Sequence, residues 1–225
     1  MTEAQERRQR EKEERARLRL EKETARTESL MVYERRFASK GRIAGIDEVG
    51  RGPLAGPVCA CAVILPSDHL ILWLNDSKKL SAKKRESLYE VIMAEAVSLG
   101  MAMEPPEVID DINILQATYS AMRKAVMSMK VQPEFLLNDA VTIPGIEIPQ
   151  CPIIHGDASS VSIAAASIVA KVTRDRLMEE YDALYPMYGF ARNKGYGTAE
   201  HIAALKKYGP CPIHRRSFIG HFIQE

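Results

Sequence analysis

Residues 43–65 read IAGIDEVGRGPLAGPVCACAVIL, two β patterns with a turn between them. Ile43–Val49 has the apolar, branched character of a strand. Gly52-Pro53 and Gly56-Pro57 punctuate it, and Val58–Leu65 resumes as a second, almost wholly apolar strand. Asp47 and Glu48 interrupt the first strand. Successive side chains alternate across a strand, so the two acids leave on opposite faces and one of them points inward. An ionised carboxylate is rarely buried without a partner.

Outward from this stretch, strand and helix patterns are interspersed. Ser81 is placed to cap a helix running to about Ser98, with Leu88, Ile92 and Ala96 at helical spacing. Leu99–Met103 reads as a strand before Pro105-Pro106, and a helix follows from about Asp111 to Met129. Phe135–Asp139 is a short apolar strand closed by a carboxylate, and Pro152–His155 is another strand. Gly156-Asp157 opens a long helix that stops near Pro186. Thr198 caps a shorter helix that ends at Gly209. The pattern predicts an α/β layered fold.

The chain has 225 residues, 46% hydrophobic and 27% charged, with a formal net charge of +1. That length suits one good-sized core, and the near-zero charge does not by itself point to nucleic acid. No apolar run reaches the roughly 20 residues of a membrane span, and a charged N-terminus gives no secretory signal, so a cytoplasmic location is expected. Cys59, Cys61, Cys151 and Cys211 form no CxxC pair and are read as reduced. Residues 3–27, EAQERRQREKEERARLRLEKETART, interleave acids and bases at helical spacing, as in Glu3–Arg7, Glu6–Arg10 and Glu11–Arg15. They predict a solvated helical arm; a basic-faced arm touching phosphate is the sharper alternative.

Three strand ends deliver acid: Asp47-Glu48, Asp139 and Asp157. Singly, Asp157 is explained as a helix N-cap and Asp139 as a turn residue before Pro144. Together they suggest a site, because functional groups gather where the strands of an α/β sheet terminate. Hard divalent ions take oxygen ligands. A pair of them about 4 Å apart can activate water and stabilise a leaving oxygen in phosphodiester cleavage. No His/Cys set competes for a softer metal: His155, His201 and His214 lack ligand spacing.

At these residues the chain resembles the ribonuclease HII family, the type 2 ribonucleases H. The resemblance spans about Arg42 to Phe218 and rests on five blocks in the family's order. They are GIDEVGRGPLAGPV at 45–58, NDSKKLS at 75–81, GDASSVSIAAASIVAKVTRDRL at 156–177, NKGYGT at 193–198 and GPCPIHRRSF at 209–218. It implies a ribonuclease H-like mixed sheet flanked by helices, with a helical C-terminal part. It implies a catalytic domain over residues 41–225 behind a charged helical arm at 1–40. Asp47, Glu48, Asp139 and Asp157 match the family's catalytic metal carboxylates, for two magnesium or manganese ions. Gly50, Arg51 and Gly52 match the triplet that recognises the ribonucleotide, where glycines admit close backbone approach and the 2′-hydroxyl marks RNA. Tyr196 matches the tyrosine that packs on the sugar of the following deoxynucleotide, and Lys78 a phosphate-contacting lysine. One departure is Asn138-Asp139-Ala140, where the family commonly has Val-Asp-Gly.

The activity implied is endonucleolytic: cleavage of the RNA strand of RNA/DNA hybrids, and nicking of duplex DNA 5′ to a single embedded ribonucleotide, leaving 5′-phosphate and 3′-hydroxyl ends. That activity removes misincorporated ribonucleotides from DNA. A monomer is the family-based expectation. The sister ribonuclease HIII shares the acid positions but usually lacks the GRG triplet and carries a larger N-terminal domain; a non-catalytic binding module would not need four acids. Lys171, Arg174 and Asp175 are expected to hold the C-terminal part by ion pairs. Arg215 and Arg216 either meet phosphate or cap the fold.

Overall fold

The computed structural model describes residues 3–67 and 69–223. Five strands form one mixed sheet: β1 (Ile43–Val49), β2 (Val58–Ile64), β3 (Ser98–Glu104), β4 (Phe135–Asp139) and β5 (Gln150–Ile153). Their spatial order is β3-β2-β1-β4-β5, antiparallel from β1 through β3 and parallel from β1 through β5. The turn at 50–57 returns the chain antiparallel beside β1. The crossover to β4 needs a helix, and α4 (Pro106–Met127) supplies it.

The alternation in β1 and β2 sorts the core into two layers. Cys59, Cys61 and Val63 face α5 (Val161–Leu184) and α3 (Ala82–Glu95). Ala44, Ile46, Ala60 and Ala62 face α4. Both sheet faces are covered, which is why these strands read as nearly continuous apolar runs. The small-residue face of α5, Ala164 to Ala166, allows an unusually close approach to β1. A Cβ on Gly45 would lie 2.1 Å from the Ser162 carbonyl carbon.

Several predicted boundaries moved. The first crossover helix starts at Pro106, not near Asp111, because proline is at home in a first helical turn. That helix is kinked at Asn113, whose φ is +67°. The long helix starts at Val161, not at Gly156-Asp157: a separate 3-10 turn spans Gly156–Ala158, and Ser160 is the N-cap, accepting from the Ile163 amide. β5 begins two residues early and ends at Ile153 rather than His155. α3 stops at Glu95, releasing Ser98 into β3. The strands at 43–49 and 135–139 and the cap at Ser81 lie where expected.

The arm is a helix, α1 (Glu3–Ser29), mostly exposed and joined by ion pairs such as Arg7–Glu11 at 3.3 Å. Its C-terminal end is docked on one side. Glu23 and Thr27 are buried, Glu23 accepts from the Trp73 amide at 2.8 Å, and Arg26 donates to the Leu74 carbonyl. The following α2 (Val32–Phe37) carries Glu34, which accepts from the Ser160 and Ser162 hydroxyls at the start of α5. The helical C-terminal part is α6 (Phe190–Asn193), α7 (Ala199–Tyr208) and α8 (Arg216–Ile219). All four cysteines are free. Among the described residues, no helix is long and apolar enough to cross a membrane.

Candidate active site

The parallel register pairs Gly45 with Leu137 and Ile46 with Asn138, so its next step brings Asp47 beside Asp139. Both leave their strands on the α5 face, with the same parity as Cys61 on β2, which pairs with Asp47, and as Leu137 on β4. Glu48 leaves on the other face, yet it is also largely covered: Asp47 is 6% exposed and the Glu48 side chain 13%. The expectation that one of the two points inward is thus exceeded. Asp47 Oδ1 accepts from the Glu48 amide at 2.7 Å, and the Ser167 hydroxyl of α5, which donates to Ser77 Oγ at 2.9 Å, stands near enough to the same carboxylate to oppose its upward shift.

Chain order takes β5 directly to the 3-10 turn at Gly156. There the Gly156 amide donates to Asp139 Oδ1 at 2.7 Å. A Cβ at Gly156 would meet the end of the Ile163 side chain at 2.5 Å, so the packing there is close. Asp157 is thereby carried to the same corner and is buried. Ala140 stands where the family commonly has glycine, and its φ is +56°, a left-handed conformation that glycine adopts freely and alanine does not.

Burial, then the Glu48 charge, holds the Asp47 carboxyl well above its usual range, with Asp139 adding to it. Burial also raises Glu48, against the opposing pull of Arg51, whose Nη1 lies 3.4 Å from Glu48 Oε1. Burial raises Asp157, helped by the charges of Asp76 and Asp139. The corner therefore holds more negative charge than its surroundings neutralise. Lys78 stands against it: burial pulls its ammonium down, but Asp157, Asp76, Asp47 and Asp139 together raise it.

The donor set is all oxygen, which fits a hard divalent cation and no softer one. Among the described residues, no group of three or more His, Cys, Asp or Glu side chains is gathered closely enough to hold a metal ion as it stands. The carboxylates form a looser acidic bay, largely buried and joined through their charges, which would suit an ion that keeps water or substrate phosphate among its ligands.

Beside the bay lies the 50–57 turn. Arg51 and Gly52 are exposed, and a Cβ on Gly52 would touch the Tyr196 ring at 3.6 Å, so the triplet and Tyr196 share one surface. Beneath them lie two arginines whose role the sequence left open. Arg215, fully buried, donates to the carbonyls of Gly56 and Arg51, each at 2.9 Å, and to that of Gly50. Arg174, also fully buried, donates to the carbonyls of Pro57, Ala55 and Lys194. Among the described residues it makes no ion pair, and Lys171–Asp175, at 2.7 Å, is a pair within α5, so the expected ion pairs to the C-terminal part are replaced by the Arg174 bond to the Lys194 carbonyl. Burial, then Arg174, brings Arg215 down to about 9. Arg215 thus caps the fold from inside, while Arg216 is exposed and its amide donates to Asp110.

The four acids and Lys78 lie within electrostatic reach of one another, Arg51 pairs with Glu48, and Gly52 adjoins Tyr196. Sequence reasoning missed Asp76, Ser167 and the carbonyl-binding use of Arg174 and Arg215. Asp76 sits inside NDSKKLS, where its side chain accepts from the Lys78 amide. Neither arginine stands out along the chain, since Arg174 lies between Thr173 and Asp175 and Arg215 between His214 and Arg216.

The sequence pattern of the ribonuclease HII family matches residues 44–221. A ribonuclease HII of Lachnoclostridium phytofermentans is 64% identical over 201 residues, 89% of this chain and 79% of that protein. Among solved structures, the ribonuclease H2 of Pyrococcus horikoshii superposes with a TM-score of 0.66 at 27% identity, covering 78% of this chain and 93% of that one. The ribonuclease HII in a complex with PCNA from Archaeoglobus fulgidus gives the same TM-score at 25% identity, covering 81% and 97%.

Proposed function

This chain belongs to the ribonuclease HII family, hence is a metal-dependent endoribonuclease that cleaves RNA in RNA/DNA hybrids, and from that premise we propose that it also nicks duplex DNA 5′ to a single embedded ribonucleotide. The observation that carries this reading is the adjacency of the acidic bay to the exposed Arg51-Gly52 backbone and the Tyr196 ring. A surface that reads one 2′-hydroxyl beside the scissile phosphate needs no continuous RNA strand.

Asp47, Glu48, Asp139 and Asp157 are the residues that would hold magnesium or manganese. When bound, two such ions supply water activation and stabilisation of the departing 3′-oxygen. The chain's own contributions are positional. With their carbonyls turned inward onto Arg215, Gly50 and Arg51 leave the outer side of the triplet to face the ribose. Tyr196 packs on the next sugar, which must be a deoxyribose to fit closely. Lys78 offers an ammonium to the phosphate from the edge of the acids that hold it charged. Cleavage on this side leaves a 5′-phosphate on the ribonucleotide.

The test is a labelled DNA duplex with one ribonucleotide, incubated with magnesium, manganese or chelator. Metal-dependent incision 5′ to the ribonucleotide is expected, together with its loss in Asp139→Asn by at least about 100-fold, since a lost ligand removes several kcal/mol of charge stabilisation. Asparagine retains an oxygen for the Gly156 amide, so the variant should fold normally. Cleavage restricted to long hybrids, or full activity in Asp139→Asn, would overturn the reading.

A further inference from the structure

Behind Tyr196 lies a chain of buried polar groups that the proposed chemistry does not use. His201 Nδ1 is 2.8 Å from the Tyr196 carbonyl. His201 Nε2 is 3.0 Å from His214 Nε2. His214 Nδ1 accepts from the Cys211 amide at 3.0 Å and lies 3.1 Å from Cys211 Sγ. His201 and His214 are 0% and 2% exposed.

The partners dictate the protons. A carbonyl only accepts, so His201 Nδ1 carries hydrogen. The Cys211 amide only donates, so His214 Nδ1 carries none. His214 must then hold its proton on Nε2 and donate it to the bare Nε2 of His201. Every site in the chain is satisfied with both rings neutral. Burial, then His201, brings His214 down to about 4, in keeping with that state. A soft metal site is the obvious alternative for Cys, His and His. Here the sulfur faces one nitrogen of His214 and His201 faces the other, so no point is within reach of all three; no such group converges among the described residues.

The chain ends on the loop that presents Tyr196. That loop bends through positive φ at Lys194 and Gly195, and the Gly195 carbonyl accepts from the Leu54 amide of the 50–57 turn. The Tyr196 carbonyl takes one hydrogen bond from Thr198 and one from His201. We propose that His201, with its proton placement set by His214 and Cys211, is a positioning residue that holds Tyr196 against the substrate-facing surface of the triplet. The inference rests on reading Tyr196 as the sugar-packing residue.

Two substitutions separate positioning from mere core filling. In His201→Asn the amide nitrogen replaces Nδ1 and keeps the bond to Tyr196. In His201→Gln the amide replaces Nε2, keeping His214 and releasing Tyr196. Both lose half the chain, so their melting temperatures should fall alike. On the duplex with one ribonucleotide, kcat/KM for H201Q should be about fivefold below H201N, the effect of one net hydrogen bond. In a Tyr196→Ala background the two should be equal. Equal kcat/KM for H201Q and H201N, beside an impaired Tyr196→Ala, would overturn this inference alone. An unimpaired Tyr196→Ala would overturn the Tyr196 reading and the inference with it. Should either His201 variant fail to fold, imidazole 15N shifts of the intact enzyme decide. Hydrogen on Nδ1 of His201 and Nε2 of His214 is expected; the opposite placement overturns the proposal.

Discussion

Asp47 is buried beside two other acids, and that has a measurable cost. Its carboxyl is raised above its ordinary range by burial and by Glu48 and Asp139, so the folded chain takes up protons before the unfolded chain does. In chelator, stability should therefore rise as pH is lowered from neutral towards the ordinary carboxylate range, and the penalty should be full above the raised value. Asp47→Asn removes the charge and keeps an oxygen for the Glu48 amide. At neutral pH in chelator it should raise the melting temperature by about 2–4 °C, the effect of about 1 kcal/mol in a domain of this size, while activity is lost. The gain should shrink near pH 4, and a variant less stable than wild type across the whole range would contradict it. The four acids were legible in the sequence because each interrupts or closes an apolar run. Asp76 was not, because a carboxylate in a polar loop has no such contrast.

At the scale of elements, the site depends on how closely α5 lies on β1. Gly45 makes that possible, since any Cβ there would overlap the Ser162–Ile163 backbone rather than a side chain that could turn away. Gly45→Ala should cost about 3 kcal/mol or more, read as a fall in the denaturant midpoint, because backbone cannot yield cheaply. A shift below 1 kcal/mol would mean that α5 slides freely. Four of the five strands were predicted to within a residue and β5 was displaced by two, since alternation and flanking Gly-Pro pairs are local signals that the short β5 lacks. The helix starts were displaced for reasons outside local pattern: Pro106 is tolerated in a first turn, and the 3-10 turn at 156–158 exists to bring Asp157 towards Asp139.

At the scale of the molecule, residues 50–57, 174, 194 and 215 meet around two buried guanidiniums that bind carbonyls instead of carboxylates. The arrangement fixes the substrate-facing turn from below and ties it to both the long helix and the C-terminal segment. Arg215→Lys retains charge but lacks the planar fork, leaving carbonyls unpaired. It should cost about 2 kcal/mol in stability and lower kcat/KM on an embedded ribonucleotide about tenfold; an unchanged enzyme would show that the turn holds itself. By itself the sequence determined the α/β class, four of the five strands and the family, and singled out the four acids as candidates, because periodicity, turn residues and ordered motifs are carried by neighbours along the chain. Only the tertiary structure decided that Arg174 and Arg215 serve as internal braces, that the arm's last turn docks at Trp73, and that His201 and His214 are partners. Those contacts join groups from 13 to 165 residues apart, and a donor's partner is set by which acceptor the fold brings within about 3 Å, which no spacing along the chain records.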